Sequence, residues 1–260
     1  MCEAESIFQA KKLAAGPLGE QLGKFPLLFA KSVLIGERPS KDGPTAVSTG
    51  SASLVNLGSG PMVVTCEHVI ACYREMAAQY KNVLFQVGDV EIDPLKQLIA
   101  SDTRLDLATI HLSDAQAKAI TSSGPIGSCI FEPKSWPPEP VVKGQFVAFG
   151  GFPGSLRTIE SFDELVFSSW SSGASEVSSV SEGQFVSSFD RDFWVSSFGS
   201  EAHLTITDLG GLSGCPAFIN RGLHWEFVGI VSAYHENYDA MFFSAASRLR
   251  ADGTIDPLPV

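Results

Sequence analysis

The run Asp208-Leu-Gly-Gly-Leu-Ser213-Gly-Cys-Pro-Ala-Phe218 sets a serine among glycines, follows it with a proline, and passes at once into the apolar Ala217-Phe-Ile219. Glycine tolerates positive φ and close backbone approach, so positions 210, 211 and 214 allow successive N–H groups to point at one small volume. Such a turn can hold an oxyanion, and it presents the Ser213 hydroxyl beside those donors. Acyl transfer needs that arrangement, because charge develops on the carbonyl oxygen as a nucleophile attacks. Gly, Ser and Pro also dominate ordinary surface turns, so composition alone fits both readings. Either way it is a tight turn feeding a strand.

On both sides of it the chain is β-rich. Downstream, Glu226-Phe-Val-Gly-Ile-Val-Ser-Ala-Tyr234 is a strand, and a short helix is expected over Ala245–Ala251. Upstream, short β-forming runs are broken by turn residues: Lys31–Ile35, Ser51–Val55, Met62–Thr65, Asn82–Val87 and Arg104–Leu112. Residues 133–140, with four prolines, read as a linker between two halves. The second half opens with a strand over Val141–Phe149 and a turn over Gly150–Gly154. It continues through Ser-, Phe- and Val-rich alternation over 160–200, as in 183–189 and 193–198. Several short strands at this spacing indicate a barrel or sandwich. Residues 5–15 form an amphipathic helix that stops at the turn signal Gly16-Pro17, residues 66–79 have helical composition, and a polar helical patch follows residue 113.

Within this frame His68 falls where a strand gives way to a helix, a place that carries chemistry more often than a strand middle. Asp106 stands inside an apolar strand near its start, and an acid there needs partners because burying an unpaired charge is costly. Asp102 and Asp114 read as turn or cap residues, and His111 as a structural side chain. The order His68, Asp106, Ser213 therefore offers a base, an acid to orient it, and a nucleophile.

Composition removes other classes of function. A formal net charge of -11 argues against nucleic acid or an anionic membrane as partner, since both require clustered Lys and Arg. The acidic N-terminus differs from a secretory signal, and no apolar run reaches the length of a membrane span. The expectation is a soluble, cytoplasmic protein. Five cysteines at scattered positions fit reduced thiols there, with Cys66 and Cys215 packing as small hydrophobes. Cys66-x-His68 with Cys72 matches no zinc spacing and lacks a fourth ligand, so neither a metal nor another cofactor is expected.

The motifs Thr65-Cys-Glu-His68-Val, Leu105-Asp-Leu-Ala108, Gly211-Leu-Ser-Gly-Cys-Pro216 and Phe227-Val-Gly-Ile-Val-Ser232, in that order, resemble those of trypsin/chymotrypsin-like serine proteases. Val141–Gly154 is similar to the opening of the second barrel in bacterial members of the HtrA-like type. The resemblance spans roughly residues 45–250. It implies an all-β fold of two six-stranded antiparallel Greek-key barrels with the active site between them and short peripheral helices. The expected division is an N-terminal helical extension at 1–30, a first barrel at 31–130 with His68 and Asp106, and a second at 131–260 with Ser213.

By carry-over, His68 is the general base and then acid, Asp106 its orienter and Ser213 the nucleophile, with the Gly211 and Ser213 N–H groups as oxyanion hole. The strand at Ser232 pairs with substrate backbone. Thr207, six positions before the nucleophile, stands at the base of the specificity pocket, and Tyr234 narrows it. That implies a protein or peptide substrate cleaved after a small or medium apolar residue, although a one-residue slip would place Asp208 in that position instead. The chain departs from the family where Leu212 replaces an acid, Cys215 a glycine, and Val69 a cysteine that is often disulfide-bonded. The segment before Lys31 lies outside the resemblance and is a candidate for binding a regulatory partner. An α/β-hydrolase is disfavoured, because its acid and histidine follow the serine. The remaining alternative is a trypsin-like binding or scaffold module without activity.

Overall fold

In the computed structural model, which describes residues 17–38, 46–123, 128–161, 164–188, 194–195 and 208–259, the β-rich runs pair into two large antiparallel sheets. The first contains β1 (Ala30–Glu37), β2 (Val47–Asn56), β3 (Pro61–Thr65), β4 (Val83–Val87), β5 (Val90–Glu91), β6 (Leu98–Asp102) and β7 (Leu107–His111). Its order is β5-β4-β1-β2-β3-β7-β6, so the sequence neighbours at its centre are also neighbours in space. The second contains β8 (Phe146–Gly151), β11 (Trp170–Ser181), β12 (Gln184–Ser188), β13 (Trp194–Val195), β14 (Pro216–Asn220), β15 (Trp225–His235) and β16 (Ala240–Ala245), in the order β12-β16-β15-β14-β8-β11-β13. Because β12 also pairs with β11, six of these strands close into a barrel, leaving β13 outside the ring. The first sheet is curled, with β5 and β6 as its edge strands, each paired on one side among the described residues. A separate hairpin, β9 (Arg157–Ser161) and β10 (Glu164–Phe167), stands beside them. This is the all-β, two-barrel organisation that the resemblance implied.

Each sheet has its own apolar filling. Val33, Ile35, Leu54, Val63, Phe85, Leu107 and Ile110 are buried in the first, and Phe149, Trp170, Phe185 and Phe243 in the second, where the last two rings stack 4.6 Å apart. The fillings meet at Phe218. This residue belongs to β14 of the second sheet, yet its ring contacts Phe25, Phe29, Phe131 and Phe227 at centroid distances of 5.0–5.8 Å. Truncating so buried an aromatic removes its transfer energy and leaves a cavity, at a cost of about 3–5 kcal/mol. Phe218→Ala therefore lowers the melting temperature by roughly 10 °C, read by thermal unfolding.

Helix α1 (Pro17–Leu27), which brings Phe25 into that cluster, runs where sequence suggested a turn at Gly16-Pro17. Proline fits the first turn of a helix, where its missing N–H is not needed. The helix expected over 5–15 lies outside the described residues. α2 (Glu67–Gln79) follows β3 directly, and α3 (Asp114–Ser122) is started by a Ser113–Gln116 capping box. No described helix is long and apolar enough to cross a membrane.

Three sequence expectations need correction. The strand expected from Val141 begins only at Phe146. Gly150 and Gly151 end that strand instead of forming a turn: they pair with Ser171 and Trp170, and a Cβ on Gly150 would lie 2.7 Å from Ser171 Cβ. Asp106 is not in β7 but in the turn before it.

Candidate active site

Asp106 has φ 50, in the left-handed region that aspartate tolerates better than most residues. Its turn is built from both sides. The Asp102 carboxylate accepts the N–H groups of Arg104 (2.8 Å) and Leu105 (2.9 Å), and the buried Ser244 hydroxyl of β16 donates to the Leu105 carbonyl at 2.6 Å. Leu105 itself is fully buried. These anchors carry the Asp106 carboxylate to the N-terminus of α2, where the first backbone N–H groups have no partner inside the helix. Oδ1 accepts the His68 N–H at 3.0 Å, and Oδ2 and Oδ1 lie 2.8 and 3.1 Å from His68 Nδ1. One carboxylate thus caps the helix and orients the imidazole.

The electrostatics follow from this contact. The Asp106 hydrogen bond, opposed by partial burial and aided by the charges of Asp106 and Glu67, raises the His68 pKa above the ordinary imidazole value. Burial pushes the Asp106 carboxyl up, and the bonds from the His68 ring and backbone outweigh it, leaving Asp106 below the usual carboxylate range. Half of the His68 side chain is exposed, and its Nε2 makes no hydrogen bond among the described residues.

The Ser213 loop is positioned by β2 and by the β8–β9 connection. Gly210 O accepts the Gly154 N–H at 2.7 Å, while the Ser51 hydroxyl donates to Gly211 O (2.7 Å) and accepts the Phe152 N–H (3.0 Å). In a trans peptide the carbonyl and the N–H point in opposite directions. With Gly210 O tied inward, the Gly211 N–H turns outward; with Leu212 O taken by the Cys215 N–H (2.9 Å), the Ser213 N–H does the same. Neither N–H has an acceptor among the described residues. Ser53 Oγ holds Gly214 O at 2.9 Å, and the Ser51 N–H holds Ser213 O at 2.9 Å.

Two glycines are required by this packing. Gly211 has φ +96, and a Cβ there would lie 2.6 Å from Gly154 N. Gly214 has φ +93, and a Cβ there would lie 2.1 Å from Ser51 O. Leu212 and Cys215, the departures from the family pattern, are both buried in the second core. The loop and the helix start also share an acceptor, since Val231 O takes the Gly214 N–H at 2.8 Å and the Cys66 thiol at 3.2 Å. That places Ser213 and His68 on the two sides of one seam between the sheets.

The structure pairs His68 with Asp106, whereas the Ser213 hydroxyl is turned to Ser232 O at 3.5 Å and makes no bond to His68 among the described residues. At that length the contact holds the hydroxyl only weakly. A pocket of about 340 Å³ opens beside Ser213, lined by Leu209, Leu212, Val231 and Tyr234 together with the acidic Asp208 and Glu236. Tyr234 is among the lining residues, with its hydroxyl donating to Asp239 Oδ1 at 3.0 Å. Thr207 lies outside the described residues. Asp208 Oδ1 accepts the Gly210 N–H at 2.8 Å and so serves the loop.

Sequence reasoning missed Ser51 and Ser53, the hydroxyls that orient the loop. Their spacing of two puts both on one face of β2, but the strand also carries Ser48 and Thr49, so nothing in the sequence marked these two hydroxyls out.

No protein-family model matches the sequence, and no curated protein matches it. Solved structures do. The active form of the Rv3671c protease from M. tuberculosis is 14% identical, with 89% of this chain and 82% of that one covered and a TM-score of 0.43. The thermostable serine protease AL20 from an extremophilic microorganism is 14% identical over 84% of this chain and 90% of that one, with a TM-score of 0.44. The Tobacco Etch Virus protease is 14% identical over 84% and 73%, with a TM-score of 0.44. These are similarities of fold, and the chemistry of this chain rests on its own residues.

Proposed function

We propose that the chain is a serine endopeptidase in which His68, Asp106 and Ser213 act as a triad and pass through an acyl-enzyme. The observation that carries this reading is the Asp106 carboxylate clamped on both the ring and the backbone of His68, with Nε2 making no hydrogen bond among the described residues and the Ser213 loop joined to the start of α2 through Val231 O. A rotation of the Ser213 hydroxyl away from Ser232 O brings its proton toward that nitrogen, and catalytic hydrogen bonds commonly tighten only when substrate is bound. His68 then takes the proton as Ser213 Oγ attacks the carbonyl carbon, and returns it to the leaving amine. The outward Gly211 and Ser213 N–H groups receive the developing oxyanion.

Leu209, Leu212 and Val231 in the pocket beside Ser213 favour a small or medium apolar side chain on the acyl side of the scissile bond, although the carboxylates of Asp208 and Glu236 share the lining. Incubation with a peptide library, with cleavage sites read by mass spectrometry, yields cuts after such residues. A profile dominated by Arg or Lys overturns the pocket reading and shifts the role to Asp208. No cleavage of any peptide favours the scaffold alternative, which the turn of the Ser213 hydroxyl toward Ser232 O supports.

A further inference from the structure

Read along the sequence, Cys66-x-His68 lacked the ligands of a metal site; the fold supplies one of them. Cys66 Sγ, a nitrogen of His68 and a carboxylate oxygen of Asp106 lie within 4.8 Å of one another. Cys66 is the N-cap residue of α2, and its buried thiol donates to Val231 O at 3.2 Å. Thiolate, imidazole and carboxylate together are the donor set of zinc and of the softer cadmium. Tetrahedral bonds of about 2.0–2.3 Å put such donors roughly 3.3–3.6 Å apart, so closing the site needs shifts on the order of an ångström. Val231 O is a nearby oxygen for the fourth position.

We propose that Cys66, His68 and Asp106 form an inhibitory site for a thiophilic divalent cation, with zinc as the biological candidate. The cation reaches the site between the half-exposed His68 and the partly exposed Asp106. It displaces the thiol proton of Cys66, so one proton is released and one sulfur–metal bond is made. It also takes the Nδ1 lone pair, which forces the remaining imidazole proton onto Nε2. An Nε2–H cannot accept the Ser213 proton. Binding by itself does not depend on the proposed peptidase activity, whereas the inhibition rests on it.

The test separates the two. Cadmium chloride is titrated into the full chain and into Ser213→Ala, following the ultraviolet thiolate-to-cadmium charge-transfer band. Both give a saturable band with one cadmium per chain. Cys66→Ala removes the band, and Asp106→Asn weakens binding by about tenfold or more. Cys66→Ser, closer in size and a harder ligand, weakens cadmium binding by a similar factor and serves if Cys66→Ala does not fold. Zinc chloride then slows fluorophosphonate labelling of the wild type, and the concentration for half-inhibition rises at least tenfold in Cys66→Ser, each protein being normalised to its own metal-free rate. A band that survives Cys66→Ala, or a wild-type affinity in Asp106→Asn, overturns the site and assigns the metal to another thiol. A Cys66-dependent band in a protein that never labels keeps the cation site and removes the peptidase reading.

Discussion

Ser213→Ala is expected to abolish covalent labelling by a fluorophosphonate probe and to lower kcat for peptide cleavage by on the order of 10⁶-fold, with His68→Ala close behind. Both losses are that large because the groups act as a unit. Without the hydroxyl no acyl-enzyme forms, and without the imidazole the hydroxyl proton has no acceptor. What survives is the contribution of the oxyanion donors and of substrate binding, about 10³–10⁴ over water. Among the described residues the Ser213 hydroxyl makes one long hydrogen bond, to Ser232 O at 3.5 Å, so its removal leaves the fold intact. Thermal unfolding of Ser213→Ala close to that of the wild type therefore accompanies the loss. A wild type that does not label, or a Ser213→Ala variant that still cleaves, removes Ser213 from the mechanism.

The parts of the site that could be read from sequence are those set by local chemistry. Glycines 211 and 214 predicted a turn with special φ, and both have positive φ with no room for a Cβ. The start of α2 after β3 was legible from the change of composition at Cys66. Asp106 was legible as an acid needing partners, with a strand-end turn as the alternative, but its left-handed conformation was not, because the turn is held by Asp102 and by Ser244 from the other sheet. The same limit hid Gly150 and Gly151. Two adjacent glycines read as a turn, yet they exist to let β11 approach β8, a contact between residues about twenty positions apart. Helix α1 was hidden because Gly16-Pro17 reads equally as a turn and as a helix start, and because Pro26 inside it is a local breaker that the Phe25 packing overrides. In each case a long-range contact outweighs the local preference.

Asp106→Asn provides the sharper test of mechanism, since it keeps the shape of the site while removing its charge. An asparagine oxygen can still accept the His68 N–H that Asp106 Oδ1 accepts at 3.0 Å, so the start of α2 stays capped. The ring loses its anionic partner. Its amide replacement can donate to Nδ1 and so favour the tautomer with the proton on Nε2, and it does nothing to stabilise the imidazolium formed during attack. A fall in kcat of about 10⁴-fold is expected. The pH profile moves as well. In the wild type the hydrogen bond to Asp106 is the leading cause of the raised His68 pKa, with the charges of Asp106 and Glu67 adding to it. Only neutral His68 can accept the proton, so wild-type labelling falls away as pH drops through a value above 6.5, the ordinary imidazole pKa. With Asp106→Asn that acid limb moves to lower pH while the plateau drops. Measuring the labelling rate against pH for both proteins distinguishes this from mere damage to the fold, which lowers the plateau without moving the limb. An Asp106→Asn variant within about threefold of wild type, with an unshifted limb, would show that the carboxylate serves the helix and not the chemistry.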